Sequence, residues 1–454
     1  MAETSADVPP RREPRSGIAE LAVGRKGLVP RLSATLQRFV RERVGSFPVR
    51  LMIRLLQWPI RAVMRPVVSR LPRDPKLVAF GGFLDRFADN PAYLFLHMAE
   101  SSSMRCVWIS GSRATVARVR DAGYEAALRW SLRGILVGLR ASWYVYAWYA
   151  ADINRWFGDG ATTLNLWHGV GIKPIGRGRA SETGGGSLAY AAPEGSWTAR
   201  AFADERRPPD WLLTTSPMIT PVFAKSFGIS TDRCIEFGYP RNDHLVEGRK
   251  PHPLLVDDGL YEALQRRRPV VGYFPTFRDG SASLPGGVPL INEMSDIVKA
   301  QGGTFVFKAH HLVLSLNAGS GATVDDDAES ATVVLPKDAD LNAYLGECDV
   351  LITDYSSVTS DYLFLRRPVI LFVPDFDEYA EGRGFMFDPR KMMPGTITRT
   401  KAELYDVLKD VSRLTVSPNN EEILDAYWSP GARGGASERI AGFIEEQSAK
   451  GTRT

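Results

Sequence analysis

The run Asp349-Val350-Leu351-Ile352-Thr353-Asp354-Tyr355-Ser356-Ser357 passes from a buried type of strand into a knot of carboxylate and hydroxyl side chains that opens a helical pattern. A helix start offers unpaired backbone N–H groups and partial positive charge, so this order of residues suits an anion and above all a phosphate. Asp354, Ser356 and Ser357 would serve equally as an N-cap cluster without a ligand. Leu166-Trp167-His168-Gly169 closes another strand-like run. That puts His168 at a carboxyl end, where open α/β sheets bind ligands. Gly169, Gly171 and Gly176 let the backbone approach a partner, and Lys173, Arg177 and Arg179 add positive charge. A histidine hydrogen-bonded in a turn fits the same residue types.

Three further runs end in the same way. Gly238-Tyr239-Pro240-Arg241-Asn242-Asp243 carries two ionic groups, Arg241 and Asp243, on a turn that also reads as domain-border punctuation. Pro275-Thr276-Phe277-Arg278-Asp279 leaves a strand, and Phe305-Val306-Phe307-Lys308-Ala309-His310-His311 ends in a cation and two imidazoles. Adjacent histidines point apart in an extended chain and no carboxylate stands near them, so a phosphate-facing Lys/His pair is favoured over a metal site. Asp375, Asp377, Glu378 and Tyr379 followed by Arg383-Gly384-Phe385 could be a plain acidic loop. Asp325-Asp326-Asp327, between Gly/Ser-rich and polar residues, reads as solvated.

These residues need a frame of strands. Near-continuous apolar runs at Leu77–Phe80, Cys106–Ile109, Leu164–Leu166, Leu212–Thr215, Cys234–Phe237, Val270–Phe274, Phe305–Lys308, Val333–Leu335, Val350–Thr353 and Val369–Val373 predict parallel strands covered on both faces. Helical patterns lie between them at Asn90–Glu100, Thr115–Ala122, Asn342–Glu347, Val358–Leu365 and Lys401–Val411, the last opened by the capping box of Thr400 and Glu403. A cluster of charge, Gly and Pro near Val246–Leu254 divides two α/β units, and helices after Asn420 close the chain. The expected organisation is a tail over 1–30, basic amphipathic helices over 31–75, α/β lobes over 76–245 and 246–430, and a closing helix and tail over 431–454.

The 454 residues carry a net charge of only +4, yet the stretch Arg25–Lys76 holds thirteen Lys/Arg against Glu42 and Asp74. One short segment therefore has the means to meet an anionic surface. Leu32, Leu36, Phe39, Val40 and Val44 form a helical stripe. In the next segment Arg50, Arg54, Gln57, Arg61 and Arg65 fall within an arc of about 80° opposite apolar residues that include Trp58. Three isolated cysteines, Cys106, Cys234 and Cys348, suit a reducing compartment and build neither a disulfide framework nor a paired-cysteine zinc site. Met1–Arg31 has no apolar h-region, and Ala141–Ala151 is far below the roughly 20 residues of a spanning helix.

Taken together and in order, Asp89-Asn90-Pro91, Trp167-His168-Gly169 with Lys173, Gly238 to Asp243, Pro275 to Arg278, Lys308 with His310, Leu351 to Ser357, and Asp377 with Tyr379, Arg383 and Gly384 resemble the signature of the CDP-glycerol glycerophosphotransferases, the polymerases and primases of teichoic acid and related capsules. The resemblance covers about residues 77 to 430. It implies an α/β fold of GT-B type, two Rossmann-like lobes facing a cleft with the nucleotide on the C-terminal lobe. It also implies transfer of glycerol phosphate, or ribitol phosphate, from CDP-glycerol or CDP-ribitol to a hydroxyl of a lipid-linked or glycan acceptor. By similarity His168 is the catalytic base, His310 is a catalytic group on the phosphate side, and with it Lys308, Arg278, Thr353, Asp354, Ser356, Ser357, Arg241 and Arg383 surround the CDP. One departure from the pattern is His311, which stands where the family usually has proline.

The reading is a peripheral enzyme on the cytoplasmic face of a cell membrane, held to anionic lipid through residues 32–73, with no cofactor, no metal and no nucleic-acid partner. Trp58 lies on the apolar side of its helix and no aromatic-flanked RNA motif is present. Two alternatives use parts of the same pattern: a GT-B glycosyltransferase acting on a nucleotide sugar, and a non-catalytic glycan- or lipid-binding relative.

Overall fold

In a computed structural model the described residues are 47–176, 207–276, 287–308, 331–336, 338–382 and 384–451. The chain divides into a first unit, residues 1–57, in which 47–57 are helical, and a second unit, Trp58 to Thr454, that holds both lobes. The expected tail, the stripe from Leu32 to Val44, Arg177, Arg179, Arg278, His310, His311, Asp325 to Asp327 and Arg383 lie outside the described residues.

The N-terminal lobe is a seven-stranded parallel sheet: β1 (Asp74–Phe80), β2 (Arg105–Ser110), β3 (Ala126–Leu128), β4 (Ala141–Tyr146), β5 (Thr162–Asn165), β6 (Trp211–Leu213) and β7 (Cys234–Ile235), in the order β3-β2-β1-β4-β5-β6-β7. The C-terminal lobe repeats the pattern with β8 (Val270–Tyr273), β9 (Thr304–Lys308), β10 (Thr332–Leu335), β11 (Val350–Thr353), β12 (Val369–Phe372) and β13 (Thr396–Thr398), in the order β10-β9-β8-β11-β12-β13. Each sheet therefore reverses direction once, between β1 and β4 and between β8 and β11. Those switch points are where doubly wound sheets open a crevice. Strand residues such as Val78, Val107, Tyr144, Leu164, Val271, Val306, Ile352 and Ile370 are buried, as strands covered on both faces require.

All ten expected strands are present, Val350–Thr353 at its expected bounds and no other end shifted by more than three residues; β3, β4 and β13 are additional. Thr400 caps its helix as expected, its Oγ1 accepting from the Glu403 N–H at 3.2 Å, while the Glu403 carboxylate reaches back one residue further, to the Arg399 N–H at 2.7 Å. The closing helix, Ala436–Gly451, returns to the N-terminal lobe, where Ser102 donates to Glu445 at 2.6 Å and Trp143 Nε1 donates to Ser448 at 2.8 Å. Asp243 caps its start by accepting from the Ala436 N–H (2.8 Å), the Ser437 N–H (2.9 Å) and the Ser437 hydroxyl (2.7 Å). Buried residues of both lobes, Leu166 and Val170 with Val358, Leu363 and Trp428 among them, belong to one continuous apolar cluster.

The helix Phe47–Ser69 meets the N-terminal lobe with the face formed by Arg61, Met64, Arg65 and Val68. Arg61 and Arg65 both pair with Asp159 (3.4 and 3.1 Å), which Arg207 also reaches at 2.7 Å. Ile60, Val63 and Val67 point outward with 55%, 71% and 61% exposure. This corrects the expected orientation. Arg61 and Arg65 are turned toward the protein, because a buried carboxylate attracts them more strongly than water does, and the outward stripe is apolar.

Candidate active site

His168 is positioned by an overdetermined turn after β5. Asn165 Oδ1 accepts from the Trp167 N–H at 2.8 Å, Asn90 Nδ2 donates to the Trp167 carbonyl at 2.9 Å, and Arg241 Nη1 donates to the His168 carbonyl at 2.8 Å. Trp167 itself lies at φ +53°, a left-handed conformation that bulky residues avoid. Such strain persists where surrounding bonds enforce it, and it concentrates at functional sites.

The imidazole lies against two indoles. Its ring is parallel to that of Trp148, with centroids 4.2 Å apart and planes at 2°, and its centroid is 3.9 Å from that of Trp167. Nδ1 is buried without a hydrogen-bond partner among the described residues. Burial pushes the His168 pKa down to about 4; Asp89 and the Ala147 backbone oppose this, while Arg241 and Lys173 add to it. The ring is therefore neutral at physiological pH, as a general base has to be.

His168 lines a cavity of about 190 Å³ between the lobes together with Trp148, Lys173, Ser357 and Tyr379. The two lobes touch there, since a Cβ on Gly169 would fall 2.4 Å from Ser357 Oγ. Lys173 Nζ also crosses the gap, donating to Thr276 Oγ1 at 3.3 Å. An imidazole, an ammonium and a hydroxyl thus face one space large enough for an alcohol and a phosphoryl group. The expected helical stretch Val358–Leu365 is present after Ser357, as an α-helix over Val358–Tyr362 continued by one 3₁₀ turn over Leu363–Leu365.

Several expected ligand contacts are differently engaged. Thr353 donates to the Phe274 carbonyl at 2.7 Å, and Asp354 accepts the Thr276 N–H with both oxygens at 2.9 and 3.0 Å. Both side chains tie β11 to the loop after β8, whose backbone groups would otherwise lack partners. Asp354 and Ser356 border a separate pocket of about 20 Å³ with Gly171, Ile172 and Met393. Lys308 ends β9 with Nζ 2.6 Å from the Ala339 carbonyl, and burial lowers its pKa to about 8 against the pull of Asp340.

Arg241, expected beside the CDP, is not among the residues lining the cavity. Its guanidinium is buried between Asp89 (2.7 Å) and Asp361 (2.6 Å). Asp361 also accepts from Asn242 at 2.8 Å and Asn342 at 3.2 Å, and Asp340 accepts from the Asp89 N–H at 2.9 Å. Burial alone would neutralise Asp361, but the guanidinium and two amides oppose this, and two carboxylates hold Arg241 firmly protonated. The cluster joins both lobes behind His168. Sequence reasoning did not single out Trp148, which sits in an uncharged aromatic run with no spacing signal; only its place just beyond β4, at the switch point, could have pointed to it.

A family profile described as CDP-Glycerol:Poly(glycerophosphate) glycerophosphotransferase matches residues 63–446, and the chain belongs to that family. It is 27% identical over 354 residues to the teichoic acid glycerol-phosphate transferase of Staphylococcus aureus, a match that covers 76% of this chain and 86% of that one. It is also 27% identical over 360 residues to the teichoic acid poly(glycerol phosphate) polymerase of Bacillus subtilis, covering 76% of this chain and 45% of the longer relative. Among solved structures, that of the wall teichoic acid polymerase TagF superimposes with a TM-score of 0.65 at 22% identity, covering 93% of this chain and 98% of the other; this likeness is one of fold.

Proposed function

We propose that this member of the CDP-glycerol glycerophosphotransferase family transfers glycerol phosphate, or a related alditol phosphate, from a CDP-alditol to a hydroxyl of a lipid- or glycan-linked envelope polymer and releases CMP. The observation that carries the reading is the cavity that the His168 imidazole shares with Lys173 and with Ser357 of the opposite lobe. The acceptor oxygen attacks the phosphorus next to the alditol and its proton passes to His168. The P–O bond to the CMP phosphate breaks in line, and the leaving oxygen takes the electron pair. Lys173 and the groups at Ser357 stand where charge on the transferred phosphoryl oxygens needs stabilisation. From the resemblance, His310, Lys308, Arg278, Ser356 and Arg383 complete the CDP side. Thr353 and Asp354 act by shaping the loops, and Arg241 acts by holding the His168 turn.

The acceptor is confined to a membrane surface in this reading, and the first helix supports it. No helix among the described residues is long and apolar enough to cross a membrane. A stripe of Ile60, Val63 and Val67, exposed beside a charged face already paired with the lobe, suits partial burial at the acyl boundary. Trp130, Leu132 and Leu136, exposed by 60%, 75% and 51%, form a second apolar patch. Arg73, just beyond the first helix, donates to the carbonyls of Gly138 (2.8 Å), in the helix Leu132–Arg140 that carries part of this patch, and of Phe157 (3.0 Å).

The test is to supply purified protein with CDP-glycerol, CDP-ribitol and nucleotide sugars in turn, with membrane extract as acceptor, and to follow nucleotide release. CMP from a CDP-alditol supports the reading; turnover of a nucleotide sugar alone would replace it with a glycosyltransferase.

A further inference from the structure

A histidine that accepts a proton is commonly fixed by a carboxylate or carbonyl on its second nitrogen, which orients the ring and stabilises the imidazolium. The His168 Nδ1 is buried without a hydrogen-bond partner among the described residues, and the hydrogen-bonding influence on the ring's charge comes from the Ala147 backbone, with no carboxylate bonded to the ring. The charged groups around it come from three places: Asp89 at the start of the helix Asp89–Ser101, Lys173 on its own loop, and Arg241 on the turn after β7. The Asp89 carboxylate is already engaged by Arg241, at 2.7 Å. Beside that backbone contact, the ring plane is set by stacking. Trp148 lies parallel to His168 on one side, and Phe83 backs Trp148 at 4.4 Å and 18°. The Phe83 loop is itself fixed, with Leu84 at φ +53° and Asp85 at φ +63° held by Arg129 (2.5 Å) and by the Gly111 N–H (2.6 Å).

We propose that Trp148, backed by Phe83, is the positioning residue of His168: it fixes the plane of the neutral ring and stabilises the imidazolium through its π face, taking the place that a carboxylate has in other histidine bases. This rests on the assignment of His168 as the base. An indole face is the best aromatic partner for a cation, and inside a desolvated stack the interaction is strong enough to alter the cost of forming the imidazolium substantially. Its effect is expressed only as positive charge develops on the ring, so it acts on the transition state rather than on donor binding.

The experiment compares Trp148→Phe with Trp148→Leu in the full chain, since leucine keeps apolar bulk but has no π face. Relative to wild type, the leucine variant is expected to lose roughly 30-fold in kcat and the phenylalanine variant only a few-fold, with KM for CDP-glycerol within about two-fold in both. Independently of turnover, histidine NMR with the His168 signal assigned through His168→Gln should show the His168 pKa falling from wild type to phenylalanine to leucine. Equal titration of His168 in the two variants, or equal kcat, overturns the proposal. The NMR comparison stands even if no transfer is found in any of the three proteins, and that outcome would count against the enzymatic reading instead.

Discussion

Gly169 and Ser357 meet across the two lobes so closely that one added methyl at position 169 would lie 2.4 Å from the serine Oγ and 2.8 Å from its Cβ. Neither distance is compatible with packed atoms, and because the Cβ of Ser357 is itself too close, turning its hydroxyl alone would not relieve the contact. Gly169→Ala is therefore expected to push the His168 turn away from the C-terminal lobe. A displacement on the order of 1 Å at a reacting centre costs about 10²-fold in rate. The check is CMP release by Gly169→Ala alone and combined with Ser357→Gly. Partial recovery in the double variant assigns the loss to the clash; an unaffected single variant removes the contact from the mechanism.

His168→Ala should abolish transfer while CDP still binds, because the imidazole acts on the acceptor side. Loss of a general base costs about 10²- to 10⁴-fold. Calorimetry with CDP and a turnover assay on the same folded preparation separate the two effects. Turnover within a few-fold of wild type would end the assignment. In the proposed mechanism His168, Lys173 and Ser357 supply the base and the charge stabilisation, so the same assay with EDTA should show unchanged turnover; activity lost to EDTA and restored by magnesium would contradict that.

Arg241→Lys should act on stability more than on donor affinity. Lysine cannot bridge Asp89 and Asp361 and still donate to the His168 carbonyl, so a buried carboxylate is left unpaired, at a cost of roughly 3–5 kcal/mol. A denaturation midpoint well below that of wild type, with CDP affinity of the folded fraction unchanged, is the expected result. A normal midpoint with weakened CDP binding would return Arg241 to the ligand.

Acid sensitivity follows from two buried histidines. Burial lowers the pKa of His168 and of His244 to about 4, and His244 donates from Nε2 to the Asn342 carbonyl at 3.1 Å while stacking on Tyr93. An unfolded histidine titrates near 6.5, so between about pH 6.5 and pH 4 the unfolded chain binds protons that the folded one refuses. Stability contributed by each is complete above pH 6.5 and declines as pH falls through that window, by up to about 1.4 kcal/mol per pH unit. His244→Phe should flatten the loss of stability between pH 7 and pH 4.5 relative to wild type. Parallel curves for the two proteins would show that His244 titrates as it does in water.

How far the sequence carried these conclusions depends on what each residue has to find. Ten strands were legible because long, branched apolar runs cannot be exposed, whereas Ala126–Leu128 is too short and Thr396–Thr398 too polar to stand out, and Ala141–Tyr146 reads as a generic apolar run. His168 was legible because its neighbours are glycines, a lysine and a strand end. Arg241 was legible as ionic, but its partners Asp89 and Asp361 lie 152 and 120 residues away and nothing local shows that they close over it. Thr353 and Asp354 have the types of phosphate ligands, and only the sheet register reveals that backbone groups of Phe274 and Thr276 use them.

The first helix gives the last test. Its inward face uses Arg61 and Arg65 on Asp159, so these residues hold the helix to the lobe, while Ile60, Val63 and Val67 carry the proposed lipid contact. Changing the two faces should therefore have opposite consequences. Ile60→Asp with Val63→Asp and Val67→Asp should leave the melting temperature and CDP binding near wild type but reduce co-sedimentation with phosphatidylglycerol-rich vesicles by an order of magnitude or more, because burying three carboxylates at the acyl boundary opposes insertion. Arg61→Ala should lower the melting temperature instead, since Asp159 is buried and loses part of its pairing. Transfer to a membrane acceptor should fall with vesicle binding in the triple variant while CDP affinity is retained. Undiminished vesicle binding by that variant would move the membrane contact away from this helix, with the patch of Trp130, Leu132 and Leu136 next to be changed.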